Sequence, residues 1–145
     1  MAKPSERLKT VLRLAQLRQQ QAAEQLGELT RNAEAQALQA DQLKHYQLEY
    51  AQQFRDLGSG GVSAARLRNF QGFYGNLEQV IDTQGERVVL ARNQQEAARQ
   101  RWQQQYAREK NLQSLVERKA FEEQLQVEKK LQRLLDDRPR RAPLD

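Results

Sequence analysis

The feature that most constrains this chain is a heptad seam. Leu8, Leu12, Ala15, Gln19, Ala22, Leu26, Leu29, Ala33, Gln36, Ala40, Leu43, Gln47, Tyr50, Phe54 and Leu57 step by four and three without a break, interrupted only by glutamines. A repeat of 3.5 residues keeps one stripe facing a partner helix over many turns, where a 3.6 repeat would drift away. A second seam reads Leu67, Phe70, Tyr74, Leu77, Ile81, Gln84, Val88, Ala91, Gln95, Ala98 and Trp102. Between the two lies the only glycine-dense segment, Gly58-Ser59-Gly60-Gly61.

The fold class this predicts is all-α, two long helices forming an antiparallel coiled-coil hairpin in a single domain, 1–145. Helix 1 is expected over about 5–57, the turn over 58–62, helix 2 over about 63–137 and a short tail over 138–145. Ser5 and Ser63 are the candidate N-caps, with Gly58 in the left-handed conformation that closes the first helix. Pairing about the turn places Phe54 near Arg66 or Leu67, Tyr50 near Phe70, Leu43 near Leu77 and Leu8 near Leu112. Beyond Trp102 the apolar residues resume at Leu112, Val116 and Ala120, then at Val127, Leu131 and Leu134, which predicts a stutter in the register. Residues after about Val116 then have no first-helix segment opposite them, leaving either a frayed overhang or a surface for another protein. Pro139 and Pro143 mark the end of the helix.

With 38% hydrophobic and 30% charged residues, a thick globular core is excluded. Abundant Gln, Ala, Leu, Glu and Arg are good helix formers, and the sustained heptad separates the chain from solvated low-complexity sequence. No cysteine is present and His45 is the one histidine, so disulfide, thiolate-metal and CxxC chemistry have no residues to use. There is no phosphate loop, and adjacent carboxylates such as Glu122 and Glu123 or Asp136 and Asp137 read as solvated surface. The expectation is a non-enzyme with no catalytic, metal or cofactor-binding residues and no cofactor. Without a spanning segment or an apolar signal, the chain is expected in the cytoplasm, with no direct insertion into the membrane.

The net charge of +5 raises nucleic acid as a partner. Acids interspersed along both helices, among them Glu24, Glu28, Glu34, Glu78, Asp82 and Glu86, break any continuous basic stripe and argue for no nucleic acid. The basic excess sits at the chain ends, in Lys3, Arg7, Lys9, Arg13 and Arg18 and again in Arg138, Arg140 and Arg141.

Near the turn the chain carries more apolar surface than a two-stranded seam needs. Phe73 and Val80 flank the second seam and Tyr46 flanks the first. Gln39, Leu43, Tyr46 and Tyr50 would face Phe73, Leu77, Val80 and Gln84 across one side of the hairpin. Two readings of these residues stay open: aromatics that thicken the coiled coil, or an exposed protein interface.

Three elements occur in order along the chain: Tyr46-Gln47-Leu48-Glu49-Tyr50, the turn Gly58-Ser59-Gly60-Gly61, and Asn69-Phe70-Gln71-Gly72-Phe73 leading into Leu77-Glu78. Over nearly its whole length the chain resembles the flagellar type III export protein FliJ family. The resemblance implies a hairpin similar to the central stalk of rotary ATPases, binding the hexameric export ATPase, the membrane export gate and export chaperones. It also implies a place at the flagellar base, peripherally associated with the inner membrane; on its own the chain is expected to be a monomer. Family gate contacts carried over by motif are Gln39, Leu43, Tyr46, Tyr50, Phe73 and Leu77. Val80 stands where alanine is familiar, and Gln84 where a histidine can occur. For the ATPase contact the resemblance gives only a region, represented by Arg7, Arg13, Arg18, Leu112 and Val116. The competing readings are a basic coiled-coil arm binding nucleic acid and a purely structural coiled-coil adaptor.

Overall fold

The computed structural model describes residues 2–138. Two helices, α1 (Pro4–Leu57) and α2 (Ala64–Asp136), pack against each other as an antiparallel all-α hairpin, with no strand among the described residues. Pro139, Arg140, Arg141 and Pro143 of the expected tail lie outside those residues.

Helix α1 starts at Pro4, whose fixed φ suits the first helical position. The Lys3 carbonyl accepts the amides of Glu6 and Arg7 at 3.0 and 3.2 Å. Ser5 therefore sits inside the first turn and is not the N-cap the sequence suggests. It is buried, and both its amide and its hydroxyl donate to the carboxylate of Glu123, at 3.1 and 2.6 Å. An acid from α2 thus satisfies one orphan amide of α1 and faces the positive end of its dipole. Helix α2 has the cap expected: Ser63 Oγ accepts the Arg66 amide at 3.2 Å and the Ser63 carbonyl accepts that of Leu67 at 3.0 Å.

The turn divides its requirements between two glycines. Gly61, with φ of 104°, supplies the left-handed conformation expected of Gly58. Gly58 instead supplies space, since a Cβ there would stand 2.7 Å from Val62 Cγ2 and 3.0 Å from the Phe54 carbonyl oxygen.

Packing of the described residues resolves into two compact units, 22–102 and 2–21 with 103–138. In the first, Ala33, Ala40, Leu77, Gln84, Ala91 and Ala98 are buried. The four alanines among these favour a close approach of the helices, because interaxial distance follows the size of the contact residues. Polar layers cross this seam. Gln84 Nε2 donates to the carbonyl and to Oε1 of Gln36 at 3.0 and 2.7 Å, and Gln95 Nε2 donates to Thr30 Oγ1 at 3.3 Å. At the turn end Phe54 lines a groove with Arg66, the neighbour expected of it, and also stacks on Phe70, which lies against Tyr50 as expected. The first turn of α2, including Leu67, is exposed, and the buried seam of α2 begins at Phe70.

In the second unit Leu8, Leu12, Ala15 and Gln19 of α1 are buried or half-buried, as are Gln105, Glu109, Leu112, Val116, Lys119 and Glu123 of α2. These α2 positions continue the four-three step, so the expected stutter after Trp102 is absent. The seam there includes polar residues whose aliphatic stems pack; Gln105 Oε1 is buried in it without a hydrogen-bond partner among the described residues, and the Glu123 carboxylate is taken up by Ser5. The Ser5–Glu123 bonds also move the limit of pairing. Val116 is 8% exposed, and the unpaired stretch begins after Glu123 rather than after Val116, with 124–138 exposed throughout.

Candidate partner-binding surfaces

Within the unit 22–102, six aromatic rings form a graded layer, with Tyr74 against Phe70 at 5.5 Å on the seam. Phe54 and Phe70 stack with centroids 3.9 Å apart at 16°. Tyr50 lies against both Phe70, at 5.3 Å, and Phe73, at 4.6 Å, and Tyr46 meets Phe73 edge-on at 6.5 Å and 77°. Ring pairs at such offsets contribute about 0.5–1.5 kcal/mol each beyond their buried area. The layer changes character outward: Phe54, Phe70 and Tyr50 are half-buried, while Tyr46 and Phe73 are 48% and 40% exposed. Tyr46 and Phe73 reach solvent because they stand one position off the seams, yet each is fixed by a ring beneath or beside it.

A groove of about 490 Å³ adjoins this layer, lined on α1 by Gln39 and Leu43 and on α2 by Asn76, Gln79, Val80, Thr83, Gln84 and Arg87. The six gate candidates fall as follows. Tyr46, Tyr50 and Phe73 are in the aromatic layer; Gln39, exposed, and Leu43, half-buried, are in the groove; Leu77 is buried in the seam. The structure brings five of them to one side of the hairpin and uses Leu77 as core. Val80 is exposed in the groove wall, whereas Gln84 is 2% exposed and spends its amide on Gln36.

Sequence reasoning missed Asn76, Thr83 and Arg87. With Phe73 and Val80 they make a stripe stepping by three and four beside the α2 seam, a spacing that was available, but polar residues in such a stripe look like ordinary solvated helix. Beside Tyr46, on the outer side of α1, His45 Nε2 and Glu49 Oε1 stand 3.0 Å apart.

In the unit formed by 2–21 and 103–138, the residues offered for a second contact divide. Arg7, Arg13 and Arg18 are exposed, Leu112 is half-buried, and Val116 belongs to the core. Arg7 and Arg18 share a helical face with exposed Val11 and Leu14. On α2, Gln104, Ala107, Arg108, Asn111, Leu112 and Leu115 line an open groove. Past Glu123 the helix presents Leu125, Val127, Leu131, Leu134 and Leu135 to solvent. The Glu123 carboxyl is held below the usual glutamate range, first by the hydroxyl of Ser5, then by the Ser5 amide, with Lys3 and Lys9 adding to it against a small desolvation cost.

No helix among the described residues is long and apolar enough to cross a membrane. A family model described as Flagellar FliJ protein matches residues 4–143. No curated protein gives a match, and no solved structure does.

Proposed function

Because the chain belongs to the flagellar FliJ family, a family of flagellar protein export, we propose that it is a non-catalytic coupling component of the export apparatus. The aromatic side of the hairpin docks on the membrane export gate, and the basic end engages the hexameric export ATPase and promotes its assembly or turnover. Export chaperones are its further cargo. It works in the cytoplasm, held peripherally at the inner membrane by the gate.

The observation that carries this reading is the pair Tyr46 and Phe73, two aromatics held in edge-on contact and left substantially exposed. Aromatic anchors fixed before binding lose little side-chain entropy when a partner covers them, which is how a few residues come to dominate an interface. The ATPase contact is supported by Arg7, Arg13 and Arg18, all exposed, and by the apolar helix beyond Glu123. Coupling to the ring requires unequal affinity for its states, since equal affinity shifts none of them.

Two measurements test this. ATP hydrolysis by the ring should rise on addition of the chain, and the purified cytosolic domain of the gate should bind it. A ring whose turnover is unchanged and a gate domain that fails to bind would together overturn the assignment.

A further inference from the structure

The groove beside the aromatic layer carries one charge that nothing answers. Arg87 lines it, is exposed, and makes no ion pair among the described residues. The acids of the same helix are segregated from it. At about 100° per residue Glu78 and Asp82 lie roughly 180° and 140° around α2 from Arg87, and Glu86 roughly 100° from it, so none of them stands in the stripe Phe73, Asn76, Val80, Thr83 and Arg87. On α1 the groove is lined by Gln39 and Leu43, also without an acid. The wall therefore runs from aromatic, through apolar Leu43 and Val80 with flanking amides and a hydroxyl, to a single guanidinium.

We propose that the segment seated here is an amphipathic helix of the partner, bearing a carboxylate for Arg87 and an apolar anchor for Tyr46 and Phe73. The inference rests on the docking reading above and adds the chemistry of what docks. A helix suits the groove because both walls are themselves stepped by three and four, the spacing of ridges on a third helix laid between them. An extended segment would find no strand edge to pair with, since the described residues contain no strand. Phe73 and Arg87 are fourteen residues apart in number, roughly 21 Å of helix at about 1.5 Å per residue, so anchor and carboxylate stand roughly four turns apart. The guanidinium can take that carboxylate in a two-bonded fork, which fixes the direction of the incoming helix as well as its position. Gln39, Asn76, Gln79 and Thr83 can donate or accept and so tolerate the partner's polar groups between the two ends.

The test uses the full chain and the purified cytosolic domain of the cell's own export gate, with affinity measured at low and at raised salt. Arg87→Glu should weaken binding by about tenfold or more at low salt and flatten the salt dependence, Arg87→Lys should stay within about threefold, and Tyr46→Ala should weaken binding by about 10- to 100-fold. Circular dichroism must match the unaltered chain; if Arg87→Glu disturbs helicity, Arg87→Gln replaces it, with a smaller loss expected. Loss with Tyr46→Ala but unchanged affinity with Arg87→Glu keeps the docking reading and overturns the carboxylate. Unchanged affinity in both, or no binding by the unaltered chain, overturns both. Self-association that Arg87→Glu abolishes would make a second copy the occupant and overturn the inference.

Discussion

Gln84 reaches across the seam to Gln36, its amide donating at 2.7 Å to the Gln36 side-chain oxygen and at 3.0 Å to the Gln36 carbonyl. A satisfied amide pair in an apolar seam costs little where it stands and much if the helices slide, because a one-turn slip would leave both groups unpaired. Gln84→Ala should lower stability by about 1–3 kcal/mol in chemical denaturation. The double change Gln36→Leu with Gln84→Leu should instead raise the melting temperature and broaden the oligomeric distribution seen by light scattering. A double variant that stays a single species would show that register is fixed elsewhere.

The Ser5–Glu123 clasp has a pH signature. The folded carboxyl titrates below its unfolded value of about 4.3, so its contribution is complete above that pH and is lost as pH falls through the lower folded value. Glu123→Gln should melt below the unaltered chain at pH 6, and the gap between them should narrow as pH falls below the unfolded value. Ser5→Ala should reproduce the pH 6 deficit in part, since the backbone amide bond survives. A gap independent of pH would mean that Glu123 acts by packing alone.

At the turn, three glycines can be told apart by one substitution each. Gly58→Ala meets Val62 and the Phe54 carbonyl, and Gly61→Ala is strained at its φ of 104°, so each should cost about 1–3 kcal/mol. Gly60→Ala has nothing within 4 Å of the new Cβ and should be close to neutral or mildly stabilising through the unfolded state. Equal effects at all three would contradict this division of roles.

On the aromatic side, Tyr46→Ala and Phe73→Ala should each reduce gate-domain affinity by about 10- to 100-fold while leaving helicity intact. Leu77→Ala should behave differently. It removes a buried side chain and should destabilise the fold by about 2–5 kcal/mol, so any loss of binding will track loss of structure. Full affinity in Tyr46→Ala would leave the layer as packing.

Much of the fold was legible because the signal and the physics coincide. From Leu8 to Phe54 every expected seam position of α1 is buried or half-buried, and the same holds from Phe70 to Trp102 of α2. Legibility failed where seam residues are polar. Gln105, Glu109 and Lys119 are half-buried in the seam and Glu123 is held there through Ser5, and a count of apolar residues passes over them to Ala120, which is exposed. The outermost ends of the seams, Leu57 and Leu67, are exposed because the chain is already turning there. In the candidate site the aromatics announced themselves by number and spacing. The seam register placed Gln84 but not its bond to Gln36, which needs both helices in place, and Arg87 went unseen, since an unanswered charge is recognised only once its neighbours are placed.

Ala33, Ala40, Ala91 and Ala98 leave the middle of the first unit with few large side chains to lose. Truncation there removes at most a methyl group. Enlargement is another matter, because every added methylene must force two backbones apart or adopt a poor rotamer, at about 1–3 kcal/mol. The mutational hazard of this segment is thus asymmetric: it is robust to erosion and vulnerable to growth, so random change should be purged mainly for bulk, and a bulky replacement at Ala98, the least exposed of the four, should be the least tolerated.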